Sequence, residues 1–309
     1  MSMLCSECFR GTLRGDVQPT GTEETIFGRQ TYVARPEPGV EPIGVVVIVA
    51  DAFGWTLRNT RALADTYARR VPCIVYVPDF MNGYNLPEWS LSKFEAKPPP
   101  NLLGAAWHYL SYLLLAARLL PGLYLHNRPA AALPRIRDWL YALRTERGAS
   151  AKIGVAGFCW GGHFSIMLTH PDAGNYAGVA VPEGSLPEGQ AKGQMRSLAH
   201  VIDCSFTAHP ALVEVPGHIE AAVQPLSVAN GDDDEWMGRK DMQKLVETIE
   251  AKNRRVSEGE QKFEAVVYPG APHGFAVRGN RDDPLQKERG DQSEDQAVRW
   301  FQKWFRSKG

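Results

Sequence analysis

The chain has 309 residues, of which 44% are hydrophobic, and its 34 basic and 35 acidic residues give a formal net charge of −1. This composition supplies enough apolar side chains for a large core and excludes an intrinsically disordered chain. The near-neutral charge provides no general attraction to nucleic acid or acidic membranes, so we expect no nucleic-acid partner.

The cysteines and the N-terminus indicate a reducing compartment. The chain has five cysteines, an odd number, and its first ten residues lack the basic and then apolar run of a secretory signal. We therefore expect a cytoplasmic protein. Cys5 and Cys8 form a C-x-x-C pair, but no second pair and no paired histidines complete a zinc site. No metal and no cofactor are predicted, and the role of this pair stays open.

Strands and helices are predicted to alternate along most of the chain. Residues 30–36 are typical of an edge strand, and residues 44–51 form a continuous apolar run of the kind that fills a central parallel strand. Later patterns predict helices at 59–70, 135–144, 163–168, 242–251 and 295–305, and strands at 73–79, 152–156, 226–230 and 263–268. This alternation predicts an α/β fold with a mostly parallel, doubly wound sheet.

An apolar stretch interrupts the alternation. Residues 84–130 are predicted to form a helical insertion within a single domain of residues 1–309, and residues 102–125 are its most apolar part. A membrane span is not expected, because a charge at the bilayer centre costs at least about 2.5 kcal/mol and a Pro-Gly pair would break the helix near its end. The open alternatives are a lid over a pocket, an interface and a membrane-contacting helix, and a homodimer is also left open. The residues that argue against a membrane span are His108, Arg118, Pro121 and Gly122.

The stretch GFCWGG places Cys159 where a predicted strand turns into a predicted helix. G-x-C-x-G is the nucleophile-elbow pattern with cysteine in place of serine, and Gly157 and Gly161 are the small neighbours that so tight a turn requires. The helix N-terminus should make the thiol ionise more easily than a free cysteine, whose pKa is about 8.5. The pattern therefore indicates a nucleophile, with a buried structural cysteine as the alternative. We interpret His163 as a helix N-terminal residue and not as a second base.

Two further strand ends carry candidate partners for the cysteine, because sites in a doubly wound sheet gather at the carboxyl ends of its strands. Asp234 completes G-x-x-D from Gly231 and is the preferred acid, and Asp233 is the alternative. His273, after the next strand, would be the base. The order nucleophile, acid, histidine is the one that triads take on this architecture. A helix cap or solvated loop for the acids, and a turn residue for the histidine, are the competing interpretations.

Three motifs together resemble the dienelactone hydrolase family of α/β-hydrolases, also called carboxymethylenebutenolidases: GFCWGG, ADAFGW at a strand end, and PHGFAVR around the histidine. The resemblance extends from about Tyr32 to the C-terminal helix, apart from the apolar insertion. It implies an α/β-hydrolase fold, with Cys159 as nucleophile, Asp234 as triad acid and His273 as base.

The resemblance also implies roles for residues around the triad. Asp51 occupies the place of an acidic residue that contacts the resting cysteine and helps control its ionisation, although family members commonly carry glutamate there. Hydrogen bonding of loop amides is the alternative role for this aspartate. The backbone amides of Ala52 and Trp160 would form the oxyanion hole. Arg278 would bind substrate, but it lies one residue further past the histidine than the family pattern places it.

His209 precedes a proline at a strand end and is a candidate for lining the pocket, with a structural role as the alternative.

The expected reaction is hydrolysis of a small-molecule ester or lactone through a thioester on the cysteine, and a less polar substrate than dienelactone suits the leucine-rich insertion. A thioesterase or a biosynthetic lactone-processing enzyme with the same triad is one alternative. A non-catalytic small-molecule-binding protein on the same fold is the other.

Overall fold

The computed structural model describes residues 11–13, 18–96, 98–171 and 200–307. Within these ranges strands and helices alternate as predicted. In chain order the elements are β1 (Thr22–Ile26), β2 (Arg29–Ala34), β3 (Val45–Val49), α1 (Arg58–Arg70), β4 (Ile74–Pro78), α2 (Ser90–Glu95), α3 (Leu102–Asn127), α4 (Pro129–Arg147), β5 (Ile153–Phe158), α5 (Trp160–Met167), β6 (Cys204–Ala208), α6 (Gly217–Glu220), β7 (Leu226–Asp233), α7 (Arg239–Asn253), β8 (Phe263–Pro272), α8 (Phe275–Arg278) and α9 (Pro284–Arg306).

The strands of the described residues form one eight-stranded sheet in the order β1-β2-β4-β3-β5-β6-β7-β8. The pairs β1–β2 and β2–β4 are antiparallel, and the pairs from β4 through β8 are parallel. Together with the flanking helices this sheet confirms the predicted α/β-hydrolase fold class. The prediction that residues 30–36 form an edge strand was wrong, because β1 pairs with β2 on its outer side. The sequence of β1, TEETI, is mostly polar and gives no hydrophobic signal.

The central strands are buried on both faces. All five residues of β3, VVVIV, are buried, as a parallel strand between two helical layers requires. On β5, Gly154 lies against Phe301 of α9, and Gly157 lies against Ser165 of α5. Because these two glycines are three residues apart on one strand, the two helices cover opposite faces of the sheet. The carboxyl ends of β3, β5, β6, β7 and β8 therefore point to one common edge.

Residues 84–130, the predicted insertion, contain α2 and the 26-residue helix α3. The Oδ1 atom of Asn101 caps α3 by accepting a hydrogen bond from the Gly104 amide at 2.6 Å. The expectation that Pro121 and Gly122 would break the helix was wrong, since α3 continues to Asn127. Pro121 is exposed, so water can solvate the backbone that loses a helical hydrogen bond. Among the described residues no helix is long and apolar enough to cross a membrane.

Candidate active site

Cys159 lies in a tight turn between β5 and α5. Its backbone angles, φ 51° and ψ −114°, are rare for any residue other than glycine. The backbone around it is packed too closely for side chains: a Cβ atom on Gly157 would overlap the Gly161 carbonyl oxygen, and one on Gly161 would overlap that of Val49. The Cys159 carbonyl accepts a hydrogen bond from the Ala211 amide at 2.9 Å. The turn therefore has the tight backbone geometry predicted for the elbow, and tertiary contacts hold its strained backbone in place.

His273 and Asp234 form a buried pair after β8 and β7. The His273 Nδ1 atom lies 3.1 Å from Oδ1 and 3.0 Å from Oδ2 of Asp234, and both side chains are fully buried. The Trp236 amide donates to Oδ1 of Asp234 at 2.7 Å, which fixes the carboxylate in its loop. Asp233, the alternative acid, is exposed at the end of β7 and pairs in register with Pro272. Of the two aspartates, the structure brings Asp234 to the histidine.

The elbow and the Asp–His pair lie around the same sheet edge. The Cys159 amide donates to the carbonyl of Ala208 at 3.4 Å, and His209 follows directly after that residue. The ring centroid of His209 is 6.0 Å from that of Phe158 and 5.0 Å from that of His273, the latter at an interplanar angle of 73°. His209 is thus a fully buried side chain between the turn that carries Cys159 and His273.

Asp51 and Arg278 form a second buried pair, which sequence reasoning did not predict. The Arg278 Nε atom donates to Oδ2 of Asp51 at 2.7 Å, and the side chains are 1% and 0% exposed. The Phe53 amide donates to Oδ1 of Asp51 at 2.9 Å, which is the loop-amide role considered above. The guanidinium also lies over the Phe53 ring at 5.3 Å. The pair joins the loop after β3 to the helix α8 that follows His273.

The two predicted oxyanion donors lie at the ends of β3 and β5. Ala52 is buried between Asp51 and Phe53, in the loop that Arg278 holds. Trp160 is the first residue of α5, so its amide has no acceptor within the helix. The Trp160 indole Nε1 donates to the carbonyl of Asn127 at 2.7 Å, a contact not predicted from sequence. The end of α3 is therefore attached to the residue that follows Cys159.

Residues 11–13 also reach this region. The Thr12 amide donates to the Arg278 carbonyl at 2.9 Å, and the Asn59 side-chain amide donates to the carbonyls of Thr12 and Val277, both at 2.8 Å. No pattern in the sequence predicts these contacts, because they join segments more than 45 residues apart.

Cys5 and Cys8 lie outside the described residues. In the part of the chain that the structure describes, no three or more His, Cys, Asp or Glu side chains are grouped so that they could hold a metal ion.

His163 lies in the first turn of α5, and its contacts do not suit an acid–base role. Its Nδ1 donates to the carbonyl of Leu212, with 2.9 Å between the atoms, and its ring lies 5.5 Å from that of His218, which is 6.1 Å from His170. Burial lowers the pKa of His163 to about 4, and the two neighbouring histidines act in the same direction. The side chain is therefore neutral at neutral pH.

Comparisons with known proteins identify the family of this chain. A model of the dienelactone hydrolase family matches residues 30–305. Dienlactone hydrolase 1 of Gibberella moniliformis is 24% identical over 98% of this chain and 94% of its own length. Hydrolase pyvD of Aspergillus violaceofuscus is 24% identical over 97% of this chain and 96% of its own length.

A shorter match has higher identity. The carboxymethylenebutenolidase homolog of Mus musculus is 30% identical over 52% of this chain and 54% of its own length. Among solved structures, that of a putative dienelactone hydrolase from Klebsiella pneumoniae superposes with a TM-score of 0.56 at 17% identity, and the match covers 91% of this chain and 97% of the other. The last comparison supports the fold alone. The family match, which covers most of the chain, shows that this protein belongs to the dienelactone hydrolase family of carboxylic ester hydrolases.

Proposed function

We propose that this protein hydrolyses a small-molecule ester or lactone through a Cys159–His273–Asp234 triad and a thioester intermediate. The observation that carries the proposal is the fully buried contact of His273 Nδ1 with both carboxylate oxygens of Asp234, at 3.1 and 3.0 Å. Such a carboxylate fixes the tautomer of the imidazole and stabilises its charged form. A buried aspartate that only capped a loop would not need a histidine as its partner.

In the first half of the reaction, the Cys159 Sγ atom attacks the substrate carbonyl carbon, and the thiol proton passes to Nε2 of His273. The oxygen of the tetrahedral intermediate carries a negative charge, which the amides of Ala52 and Trp160 would stabilise. The carbon–oxygen bond then breaks, and His273 returns the proton to the leaving alkoxide. The acyl group remains on sulfur as a thioester.

In the second half, His273 takes a proton from water, and the resulting hydroxide attacks the thioester carbonyl. The carbon–sulfur bond breaks, the acid leaves, and His273 returns the proton to the Cys159 thiolate. For a lactone, the alcohol and the acid are two ends of one product. No redox change and no cofactor are needed for these steps to balance.

The surroundings of the site favour an uncharged substrate. Arg278, the expected ligand of a substrate carboxylate, is almost fully buried and donates to Asp51. Cys159 itself is 2% exposed and lies among the apolar side chains of the core. Desolvating a substrate carboxylate in such surroundings would be costly unless it were paired. We therefore propose a neutral ester or lactone acyl group as substrate.

A cytoplasmic location is proposed on the state of the cysteines. The described cysteines Cys73 and Cys204 are free thiols buried in the core. A thiol nucleophile remains reduced in a compartment where glutathione and thioredoxin act. Expression with a fluorescent tag and fractionation of the cell would test the location directly.

The proposed reaction is tested with p-nitrophenyl esters, γ- and δ-lactones and acyl-coenzyme A thioesters, combined with intact-protein mass spectrometry. We expect turnover of neutral esters or lactones and, at early times, an added mass of one acyl group that peptide mapping places on Cys159. Cys159→Ala should lose both, whereas the matched control Cys73→Ala should keep both. Turnover by Cys159→Ala would exclude the thioester route. Turnover restricted to acyl-coenzyme A would identify a thioesterase, and ligand binding without turnover would identify a binding protein.

A further inference from the structure

The helix α3 presents a large apolar surface that no described part of the chain covers. Ten of its large apolar side chains are exposed, including Leu103 at 85% and Trp107 at 68%. Its C-terminal turns are attached to the protein: Leu123 and Asn127 are buried, and the His126 ring stacks on Tyr84 with centroids 3.7 Å apart. The exposed side chains of α3 from Leu102 to Leu125 are called the α3 face below.

The α3 face is larger than the apolar patches of ordinary monomers. A large apolar side chain presents roughly 150–250 Å², so ten that are on average more than half exposed present on the order of 1,000 Å². The largest apolar patch of a typical monomer is about 300–600 Å². A stable interface of standard size takes about 800 Å² from each partner. The ten side chains of the α3 face together therefore have the area of an interface, and four of them belong to the seam described next.

The spacing of the exposed residues predicts that the partner is another helix. Intervals of four and three alternate along the face from Leu103 to Pro121, and every residue of this series is exposed. An alternating four–three spacing is the a/d pattern that packs one helix against another along a straight seam. The series consists of Leu103, Trp107, Leu110, Leu114, Ala117 and Pro121.

The charge of α3 argues against a lipid surface. Helices that lie in a membrane interface carry Lys and Arg on their polar side, where they meet the headgroups. Between Leu102 and Asn127 the sequence has Arg118 as its single Lys, Arg, Asp or Glu residue.

We propose that the α3 face is the interface of a homodimer in which the α3 helices of two copies pack antiparallel around a two-fold axis near Leu114. In that register Leu114 meets its own copy at the axis, and on either side Trp107 lies opposite Pro121 and Leu110 lies opposite Ala117, so that the largest side chains meet smaller ones. A parallel pair would instead place Trp107 against itself and Ala117 against itself, leaving both a clash and a gap. Antiparallel helix dipoles also attract each other.

The dimer is tested by sedimentation velocity of the full chain over a roughly hundredfold range of concentration, because dimerisation depends on concentration. The wild type should be a dimer. Leu110→Glu should weaken the dimer at least roughly a hundredfold in Kd, because a carboxylate is buried without a partner. The matched control is Val256→Glu, which changes a side chain that is 44% exposed outside α3 and should leave Kd unchanged.

The register is tested by a charge pair. In the antiparallel arrangement, the double variant L110E/A117K places opposite charges across both halves of the seam and should restore dimerisation to within about tenfold of the wild type. A double variant that stays monomeric would overturn the antiparallel register. A monomeric wild type, or an unchanged dimer in Leu110→Glu, would overturn the interface itself. Partitioning of the wild type onto phosphatidylcholine vesicles in place of dimerisation would identify a lipid surface as the occupant and overturn the homodimer.

Discussion

The Nε atom of Arg278 donates to Oδ2 of Asp51 at 2.7 Å inside the protein, where neither side chain is more than 1% exposed. The two residues are 227 positions apart: Asp51 lies in the loop that carries the proposed oxyanion donor Ala52, and Arg278 lies in α8, just after the proposed base His273. Two parts of the proposed catalytic apparatus are thus joined by one ion pair. Because the pair is buried away from solvent, removing one side chain leaves the charge of the other without a counter-charge and without water.

We expect Arg278→Met alone to destabilise the protein by about 3–5 kcal/mol, because removing one partner leaves the Asp51 carboxylate buried without its counter-charge. The double variant D51N/R278M should recover most of this loss, since both charges are then absent. Urea unfolding of the two variants and the wild type measures the difference. An equal loss in both variants would mean that packing of the arginine over Phe53, and not charge pairing, is what stabilises the site.

Replacing the proposed triad acid gives a second prediction. Asp234→Asn should lower kcat by roughly 10²–10⁴, because the amide no longer selects the productive tautomer of His273. The matched control is Asp233→Asn, one residue earlier, whose side chain is exposed. It should retain wild-type kcat with the same ester. Equal losses of activity in the two variants would indicate a general effect on the loop. They would contradict the assignment of Asp234 as the triad acid.

How much of this site the sequence could predict depends on how local each feature is. The elbow was predictable, because Gly157, Cys159 and Gly161 encode a strained strand-to-helix turn within five residues. Strand β3 was predictable from its uninterrupted β-branched run. The Asp234–His273 pair was partly predictable, since each residue follows a predicted strand, but the choice between Asp233 and Asp234 required the actual path of the loop.

Features that join distant segments had no sequence signal. The Asp51–Arg278 pair and the Trp160–Asn127 contact depend on where loops and the insertion pack, which periodicity does not encode. Strand β1 was missed because its polar sequence is stabilised by pairing with β2 rather than by burial. The helix break expected at Pro121 was wrong because an exposed proline costs a helix less when water can solvate the freed carbonyl.

Alkylation of the cysteines provides a third prediction. Iodoacetamide should label Cys159 well below pH 8.5, because the thiol lies at a helix N-terminus and the proposed base His273 would take its proton. Cys73 and Cys204 serve as internal controls, since burial raises the pKa of both thiols and both are fully buried. Peptide mass spectrometry separates the three sites. His273→Ala should slow labelling of Cys159, and a rate that is indifferent to this change would count against the Cys–His pair.

The pH dependence of stability gives the last prediction, and it concerns His163. The unfolded chain protonates this side chain below its ordinary pKa of 6.5, whereas burial lowers the folded pKa to about 4. The unfolded state therefore binds more protons between these values, so stability is complete above pH 6.5 and falls as the pH drops towards 4. At 1.36 kcal/mol per pKa unit, His163 should account for a loss of roughly 3 kcal/mol over this range.

His163→Asn tests the assignment, because the asparagine amide can keep the hydrogen bond to the Leu212 carbonyl without titrating. The free energy of urea unfolding, measured from pH 7.5 down to pH 4, should fall less steeply in this variant than in the wild type. His218 packs against His163 and its pKa is also lowered by burial and by His170, so some pH dependence should remain. A slope identical to that of the wild type would mean that the pKa of His163 is not lowered in the folded protein, and it would contradict this assignment.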